Sequence, residues 1–178
     1  MSHKQLTHEE VKRSQEKFPL TLWAVDMQKT ENVGSLFRLA DGLGVAKLIL
    51  VGDTPAPPNK KISKVARSAD NSVEWAHLSH HQGFELLEDF YTSKFDASVD
   101  TQIVLGLEIT NDSIPVQDWV PENPVMTHLI LGNEEQGISQ DYLNLCHKCV
   151  HIPMHGQNSS LNVSIAAAIA SYQITQYF

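Results

Sequence analysis

The stretch HIPMHGQNSSLNVSIAAAIASYQI, residues 151–174, joins the end of an apolar run to the most apolar helix that the sequence predicts. Its first half holds proline, glycine and small polar residues, which are typical of a loop. The helical pattern covers residues 160–176, with Ser160 as the predicted N-cap and Asn162 in the first turn. The helix is so rich in alanine that another part of the chain is expected to approach its backbone closely. Asparagine is a poor helix former, so we expect the Asn162 amide to have a specific partner.

Outward from this stretch, short apolar runs rich in Val, Ile and Leu recur along the chain, each followed by turn or polar residues. Such runs are typical of buried parallel strands. They are LTLWAV (20–25), AKLILVG (46–52), QIVLGLEI (102–109), THLILG (127–132) and CVHIPM (149–154). Helical patterns alternate with them, at about residues 34–44, 83–95, 139–147 and 160–176. The alternation predicts an α/β fold, with a mostly parallel sheet and helices on both faces. Two proline-rich segments, residues 52–60 and 112–124, are predicted to be surface loops.

Length and composition are those of an ordinary globular chain. The 178 residues suffice for one domain with its own core, and we expect a single domain over residues 1–178. No run of about 18 uncharged apolar residues occurs, and residues 1–18 contain no apolar stretch of the signal-peptide kind. The two cysteines are too few for a disulfide framework. Together these features predict a cytoplasmic protein that does not enter a membrane.

Charge is distributed unevenly along the chain, whose formal net charge is −8. Residues 1–67 hold eleven basic and seven acidic side chains, whereas the remainder holds two basic and fourteen acidic ones. Lysine and arginine contacts to phosphates supply most of the affinity for nucleic acids. An anionic partner is therefore expected to bind the first third of the chain, and an ordinary solvated charge distribution is the alternative.

Ligands of open α/β sheets bind beyond the carboxyl ends of the strands, which directs attention to the segments that follow them. In ENVGSLFRLADGLG, residues 31–44, Arg38 lies about 160° from the apolar side of the predicted helix and therefore projects away from the core. The apolar side is made by Leu36, Leu39, Ala40 and Leu43. Asn32 and Gly34 are expected to precede the helix, where they can expose amide groups to an anion. An ordinary N-cap with a surface arginine is the alternative.

A second segment, LILGNEEQGIS, spans residues 129–139. The predicted strand ends at Gly132, which puts Glu134 at the carboxyl edge of the sheet. Gly137 then permits a tight return into a helix capped by Ser139. Taken alone, this pattern is equally typical of an ordinary turn at a strand exit.

Taken together, the three segments NVGSLFRLADGLG, LILGNEEQGIS and IPMHGQNSSLNVSIAAAIASYQ resemble the signature motifs of the SpoU (TrmH-like) RNA 2′-O-ribose methyltransferases of the SPOUT superfamily. The resemblance covers most of residues 20–178. It implies an α/β sheet whose C-terminal segment passes through an earlier loop to form a deep trefoil knot, the alpha-beta knot. It also implies S-adenosyl-L-methionine bound within the knot, a homodimer formed through the knot region and the C-terminal helix, and no metal.

The resemblance assigns roles to individual residues. The residues implied to bind the cofactor are Leu107, Gly132, Ile152, Met154 and Leu161. The residues implied to be catalytic are Asn32, Arg38, Glu134, Ser160 and Asn162. Arg38 is implied to lie near the target ribose and its phosphate. Because a guanidinium keeps its proton, we expect Arg38 to bind the phosphate and stabilise the developing alkoxide. The same phosphate or Glu134 is expected to help remove the proton.

RNA is the partner that the resemblance implies. The segment KKISKVARSADNSVEW, residues 60–75, resembles the family's loop between the second and third strands, and its basic residues are expected near Arg38. These residues are Lys60, Lys61, Lys64 and Arg67. A solvated basic loop is the alternative.

About 18 residues precede the first strand as an N-terminal extension, and no separate RNA-binding domain is expected. Compact members of the family mostly modify tRNA, so tRNA is the first expectation and ribosomal RNA the second. A non-catalytic RNA-binding or ribosome-assembly factor with the same fold is the competing hypothesis.

The residues CHKC (146–149), with His151 nearby, raise the alternative of a zinc site or a redox pair. A structural zinc site needs four well-placed ligands, whereas this short segment has to pass from a helix end into a buried strand. We therefore predict no metal. His77, His80 and His81 are likewise expected to be loop histidines rather than ligands.

Overall fold

The fold is built on a seven-stranded sheet in which every strand pairing is parallel. The computed structural model describes residues 3–7, 9–11, 14, 16–92, 102–121 and 126–178. The strands are β1 (Phe18–Val25), β2 (Val45–Val51), β3 (Trp75–Leu78), β4 (Gln102–Leu107), β5 (Ile114–Pro115), β6 (Met126–Leu131) and β7 (Lys148–His151). The helices are α1 (Thr30–Leu43), α2 (Lys60–Ala66), α3 (His80–Thr92), α4 (Gln140–Leu143) and α5 (Val163–Thr175). The order across the sheet is β3-β2-β1-β6-β4-β7-β5.

Two apolar cores, one on each face of the sheet, hold the helices in place. Successive strand residues point to opposite faces, so Leu22 of β1 faces the core beneath α1 and α5, while Trp23 faces the core beneath α3 and α4. Both side chains are fully buried. This arrangement confirms the predicted α/β class, the mostly parallel sheet and the helices on both faces. The trefoil knot stays a prediction.

All five predicted strands are present, and the two strands that the apolar pattern did not predict are short. β3 has four residues, three of them half-buried, at one edge of the sheet. β5 has two residues at the other edge and contains a proline. Neither is long or apolar enough to be distinguished from a loop by its pattern.

The first two helices differ from the sequence prediction. α1 begins at Thr30, so Asn32 and Gly34 lie inside the helix and do not precede it. Gly34 is buried against α2, where it cannot expose its amide to an anion. The expected basic loop is partly helical. The Asn59 side chain caps α2 by accepting hydrogen bonds from the amides of Lys61 and Ile62.

The later segments also bring corrections. α5 begins at Val163 with Asn162 as its N-cap, so the prediction that Ser160 is the cap was wrong. α4 is a single turn, and the Ser139 side chain makes no capping bond. The second proline-rich segment is not simply a surface loop, since Val116 and Trp119 are buried within it. Residues 93–95 and 122–124 of the predicted helix and loop lie outside the described residues.

None of the helices in the described ranges has both the length and the apolar character that crossing a bilayer requires.

Candidate active site

A cleft of about 770 Å³ opens at the carboxyl ends of β4, β6 and β7 and beside the segment that leads into α5. All the residues predicted to bind the cofactor line it. They are Leu107, Gly132, Ile152, Met154 and Leu161. Three of the predicted catalytic residues, Glu134, Ser160 and Asn162, line the same cleft. Residues far apart in the sequence therefore meet because parallel strands end at one edge of the sheet.

The turn after β6 forms one wall of the cleft and depends on two glycines. The main chains of Asn133 and Gly137 exchange two hydrogen bonds of 3.0 Å, which close a tight turn. A Cβ on Gly132 would overlap the main chain of Gly137, and Gly137 itself has a φ of +69°. Glu108 fixes the far side of the turn, since its Oε2 accepts a bond of 3.1 Å from the amide of Ile138.

A chain of hydrogen bonds runs along this wall and joins α1, the N-cap of α5 and the turn after β6. Nδ2 of Asn162 donates to Oδ1 of Asn32 at 3.0 Å, and Nδ2 of Asn32 donates to Oε1 of Glu134 at 2.7 Å. A carboxylate only accepts, so Glu134 fixes the orientation of the Asn32 amide. The Asn32 oxygen then has to receive a donor, which the Asn162 amide supplies.

Glu134 has few lone pairs left for further partners. Its two oxygens also accept the amides of Gln28 at 2.9 Å and Lys29 at 3.1 Å. Burial raises the pKa of this carboxyl, but the hydrogen bonds from Gln28, Asn32 and Lys29 outweigh that effect and leave the pKa below its ordinary value. This arrangement favours a role for Glu134 in holding Asn32 rather than in taking a proton.

The Asn162 side chain uses both ends of its amide. Its Oδ1 accepts bonds from the Ser164 amide at 3.0 Å and from the Ser164 hydroxyl at 2.7 Å, which caps α5. The expectation of a specific partner for Asn162 is thereby confirmed, since the helix cap takes its oxygen and Asn32 takes its nitrogen.

The remaining predicted catalytic residues lie at different depths. Asn32 is buried and reaches the cleft through its bonds to Glu134 and Asn162. Ser160 is exposed in the segment before α5. Arg38 is exposed on α1 and does not line the cleft, in agreement with the predicted direction away from the core.

The predicted RNA-binding residues lie on α2 and at its C-terminal end. Lys60, Lys61, Lys64 and Arg67 are all exposed, and Arg67 ends the helix in the left-handed conformation with φ of 51°. α2 packs against α1, the helix that carries Arg38. The basic side chains and Arg38 therefore belong to two helices in direct contact.

The cysteine and histidine alternatives find no support as a site. Burial raises the pKa of both Cys146 and Cys149, and the two cysteines are free thiols. No group of three or more His, Cys, Asp and Glu side chains arranged to hold a metal ion occurs in the described part of the chain. The prediction that the other histidines lie in loops was wrong, because His77 is in β3 and His80 and His81 begin α3. His77 bonds to the Gly52 carbonyl oxygen at 3.0 Å, and His80 lies 3.0 Å from Asp26.

Two polar residues at strand ends are among those of the cleft that sequence reasoning missed. Glu108 and His151 both line it, one just after β4 and the other at the end of β7. Their position at strand ends is a signal that the sequence contains. The apolar pattern places Glu108 within a predicted strand, and the spacing of His151 from the two cysteines suggests only a metal ligand.

Comparisons with known proteins agree with this architecture. Residues 19–172 match the SpoU rRNA Methylase family. The tRNA (guanosine(18)-2′-O)-methyltransferase of Escherichia coli is 26% identical over 154 residues, which cover 86% of this chain and 62% of that protein. The 23S rRNA (guanosine-2′-O-)-methyltransferase RlmB of Acinetobacter baylyi is 28% identical over 142 residues, which cover 80% of this chain and 53% of that protein. The chain thus spans between about half and three fifths of the length of these relatives.

Solved structures share the fold. The SpoU methyltransferase AviRb from Streptomyces viridochromogenes superposes with a TM-score of 0.76 at 27% identity, over 91% of this chain and 60% of that one. Its complex with the cofactor AdoMet gives a TM-score of 0.75 at 26% identity, over 99% of this chain and 65% of that one. The family match includes the sheet, the cleft and all three motif segments, and on this ground the chain belongs to the SpoU rRNA Methylase family.

Proposed function

We propose that this protein transfers a methyl group from S-adenosyl-L-methionine to a ribose 2′-hydroxyl in RNA. The observation that carries the proposal is the hydrogen-bond chain from Asn162 through Asn32 to Glu134 on the wall of the cleft. It joins three residues for which the resemblance to the SpoU motifs implies catalytic roles. The relatives named above act, by their names, as 2′-O-methyltransferases on tRNA and on 23S rRNA.

The residues that line the cleft fit S-adenosylmethionine. Leu107, Ile152 and Leu161 offer apolar surface suited to a purine ring. Glu108, Glu134 and Glu135 outnumber Lys29 on the lining, a balance that suits a cation. When bound, S-adenosylmethionine supplies a methyl group on a positively charged sulfur that an oxygen nucleophile attacks.

In this proposal the protein contributes mainly alignment. Glu134 holds Asn32, Asn32 holds Asn162, and the resulting rigid wall orients the groups that meet in the cleft. Ser160, exposed at the mouth of the cleft, supplies a hydroxyl to the ribose or its phosphate. Because Asn162 is the N-cap of α5, any shift of this helix also shifts the hydrogen-bond chain on the wall of the cleft.

Arg38 binds the phosphate next to the target ribose and stabilises the alkoxide that forms there. A guanidinium is protonated at any physiological pH, so it is a poor base. The lowered pKa of Glu134 and its three donors make that carboxylate a poor base as well. The substrate phosphate then helps deprotonation by accepting a hydrogen bond from the 2′-hydroxyl, and the proton passes to solvent as the methyl group is transferred.

RNA is proposed to approach along α1 and α2. Lys60, Lys61, Lys64 and Arg67 are exposed on α2, which contacts the helix of Arg38, and positive side chains on one surface attract a polyanion. We propose tRNA as the first candidate substrate and ribosomal RNA as the second, since relatives with each substrate match the chain.

A homodimer formed through the C-terminal helix is part of the proposal. α5 buries Ala167, Ala170 and Ile174 against the sheet but leaves Ile165, Ile169 and Tyr172 exposed by 52%, 42% and 59%. Apolar side chains in one row on a helix are typical of a protein interface.

We also propose a cytoplasmic location, which suits two cysteines that are free thiols.

Transfer of a labelled methyl group to unmodified tRNA and to unmodified ribosomal RNA at low salt tests the proposal. Label in one RNA class, lost in the Arg38→Ala variant while S-adenosylmethionine still binds, is the expected result. Binding of the cofactor without label on any RNA would support the non-catalytic RNA-binding factor instead.

A further inference from the structure

His151, at the carboxyl end of β7, is a half-buried histidine on the lining of the cleft. The proposed function assigns it no role. Its Nδ1 lies 3.0 Å from the hydroxyl of Ser113, which immediately precedes β5, the strand that pairs with β7. The imidazole is therefore held from behind by the neighbouring strand, and its orientation is fixed.

The hydrogen bonds of Ser113 determine where the proton of His151 is. The Ser113 hydroxyl lies 3.0 Å from the carbonyl oxygen of Thr110 and accepts a bond of 3.0 Å from the Thr110 amide. A carbonyl oxygen can only accept, so the single hydroxyl hydrogen of Ser113 is directed to Thr110. Nδ1 of His151 must then carry a hydrogen and donate it to Ser113. In the neutral ring this leaves Nε2 as an acceptor with a free lone pair.

Two carboxylates on the same lining already have partners within the protein. Glu108 accepts the amides of Ile109 at 2.9 Å and Ile138 at 3.1 Å, and Glu134 accepts three donors from the chain. By contrast, no protein group in the described ranges bonds to Nε2 of His151. A ligand in the cleft that carries a hydrogen-bond donor can meet this nitrogen.

The order of the strands separates His151 from the catalytic wall. β4 lies between β6, which leads to Glu134, and β7, which ends at His151. Neighbouring strands are about 4.8 Å apart, so the two strand ends are about 10 Å from each other. His151 therefore faces the part of the cleft near Leu107 and Ile152, which is remote from the site of methyl transfer.

We propose that Nε2 of His151 accepts a hydrogen bond from the nucleoside half of the cofactor, either from the exocyclic amine of the adenine or from a ribose hydroxyl. This inference rests on the proposed function, because it concerns the cofactor of that reaction. His151 is thus a positioning residue whose tautomer is set by Ser113 and Thr110. Without the Ser113 hydroxyl, the proton of the neutral imidazole can move from Nδ1 to Nε2. Nε2 would then carry a hydrogen and could no longer accept a bond from the cofactor.

Calorimetric binding of S-adenosylhomocysteine, the reaction product, tests the inference without catalysis. One lost hydrogen bond corresponds to about five- to tenfold weaker binding, which we expect for His151→Leu. His151→Gln keeps an acceptor at a similar reach and is expected to bind within about twofold of the wild type. The matched control is His155→Leu, because His155 is exposed nearby but does not line the cleft.

Ser113→Ala provides a second variant that leaves the lining residues unchanged. It is expected to weaken binding by about threefold, since part of the imidazole population then carries its proton on Nε2. Thermal unfolding of each variant accompanies the titrations. If His151→Leu does not fold, Ser113→Ala still tests the inference, with His151→Gln as the variant that keeps an acceptor. Weaker binding of S-adenosylhomocysteine by Ser113→Ala supports the inference, and unchanged binding overturns it.

Analogues identify the donor and separate positioning from a structural effect. S-inosylhomocysteine lacks the exocyclic amine, and the 2′-deoxy and 3′-deoxy analogues each lack one ribose hydroxyl. One of these analogues lacks the group that donates to His151. For that analogue we expect His151→Leu and the wild type to bind equally tightly. An equal loss for every analogue, or no loss for S-adenosylhomocysteine, overturns the inference. Failure of the wild type to bind either cofactor form overturns both proposals, whereas binding without methyl transfer overturns only the proposed function.

Discussion

Asn162 contributes to folding and to the site through the two ends of one amide group. Its oxygen caps α5 and its nitrogen binds Asn32, which Glu134 orients. The motifs in the sequence predicted that these residues share a site, and the poor helix propensity of asparagine predicted a partner for Asn162. The direction of each hydrogen bond could not be predicted, because it depends on the position of Glu134. Glu134 is held there by hydrogen bonds from the amides of Gln28 and Lys29, which are distant from it in the sequence.

The two roles of Asn162 can be separated by substitution. Asn162→Ser keeps an N-cap acceptor but is too short to reach Asn32, so we expect it to lose about 1–3 kcal/mol through the buried Asn32 oxygen that is left without a donor. Asn162→Ala loses the cap as well and is expected to be about 1 kcal/mol less stable than Asn162→Ser. Both variants are expected to lose most methyl transfer. Urea unfolding and labelled transfer measure the two effects, and a fully active Asn162→Ser would show that the amide donor is not needed.

His128, buried on the α3 side of the sheet, makes stability depend on pH. Its Nδ1 accepts from Trp23 and its Nε2 lies 2.7 Å from Oε1 of Gln102. Burial, with a smaller effect of His147, lowers the pKa of His128 from 6.5 to about 4. As the pH falls from 6.5 to 4, the unfolded chain gains a proton that the folded chain does not, so stability falls.

We expect this histidine to contribute a loss of up to about 3 kcal/mol between pH 7 and pH 4. His128→Asn removes the titrating group while keeping an acceptor for Trp23. Urea unfolding at several pH values should then show a flatter pH dependence in this variant, whatever its stability at pH 7. An unchanged slope would mean that other groups cause the acid sensitivity.

At the scale of elements, the contact between α1 and α2 connects the helix of Arg38 to the basic surface. A Cβ on Gly34 would lie 2.7 Å from Cβ of Val65 and 2.8 Å from the carbonyl oxygen of Ile62, so the helices touch through a glycine. The helical spacing of α1 was predictable from its apolar residues. α2 was not, because seven residues with a single pair of buried positions, Ile62 and Ala66, resemble a basic loop.

Replacement of helical glycine by alanine gives opposite results at two positions of α1. Gly34→Ala is expected to destabilise the protein by about 1–3 kcal/mol, because the added methyl group forces α2 to move. Gly42→Ala is the matched control, since nothing lies within 4 Å of its added Cβ. It is expected to stabilise by about 0.5–1 kcal/mol through helix propensity. Thermal unfolding compares the two, and equal effects would contradict the packing described.

At the scale of the whole molecule, both the sheet class and the position of the cleft followed from the sequence. The five predicted strands coincide with apolar runs, and the polar motif residues come after strands that end at one edge. What the sequence did not predict were the edge strands β3 and β5 and the exact start of α5. These depend on contacts that are local in space but distant along the chain, such as the pairing of Ile114 with Val150.

The exposed row on α5 predicts self-association. The double variant Ile165→Glu/Ile169→Glu places two charges on the proposed dimer interface and is expected to convert a dimer to a monomer in analytical ultracentrifugation. Tyr91→Glu is the matched control, since Tyr91 is 45% exposed on α3, which packs on the opposite face of the sheet. A wild-type monomer, or a dimer that persists in the double variant, would refute this interface.

Methylation of a ribose 2′-hydroxyl is tested most directly by alkaline hydrolysis of RNA that the wild-type protein has labelled from methyl-labelled S-adenosylmethionine. A 2′-O-methyl group blocks attack of that oxygen on the neighbouring phosphate, so the adjacent linkage survives alkali. We expect the label in alkali-resistant dinucleotides, and we expect it to disappear in the Arg38→Ala variant. Label recovered in mononucleotides would place the methyl group on a base and refute methylation of the ribose.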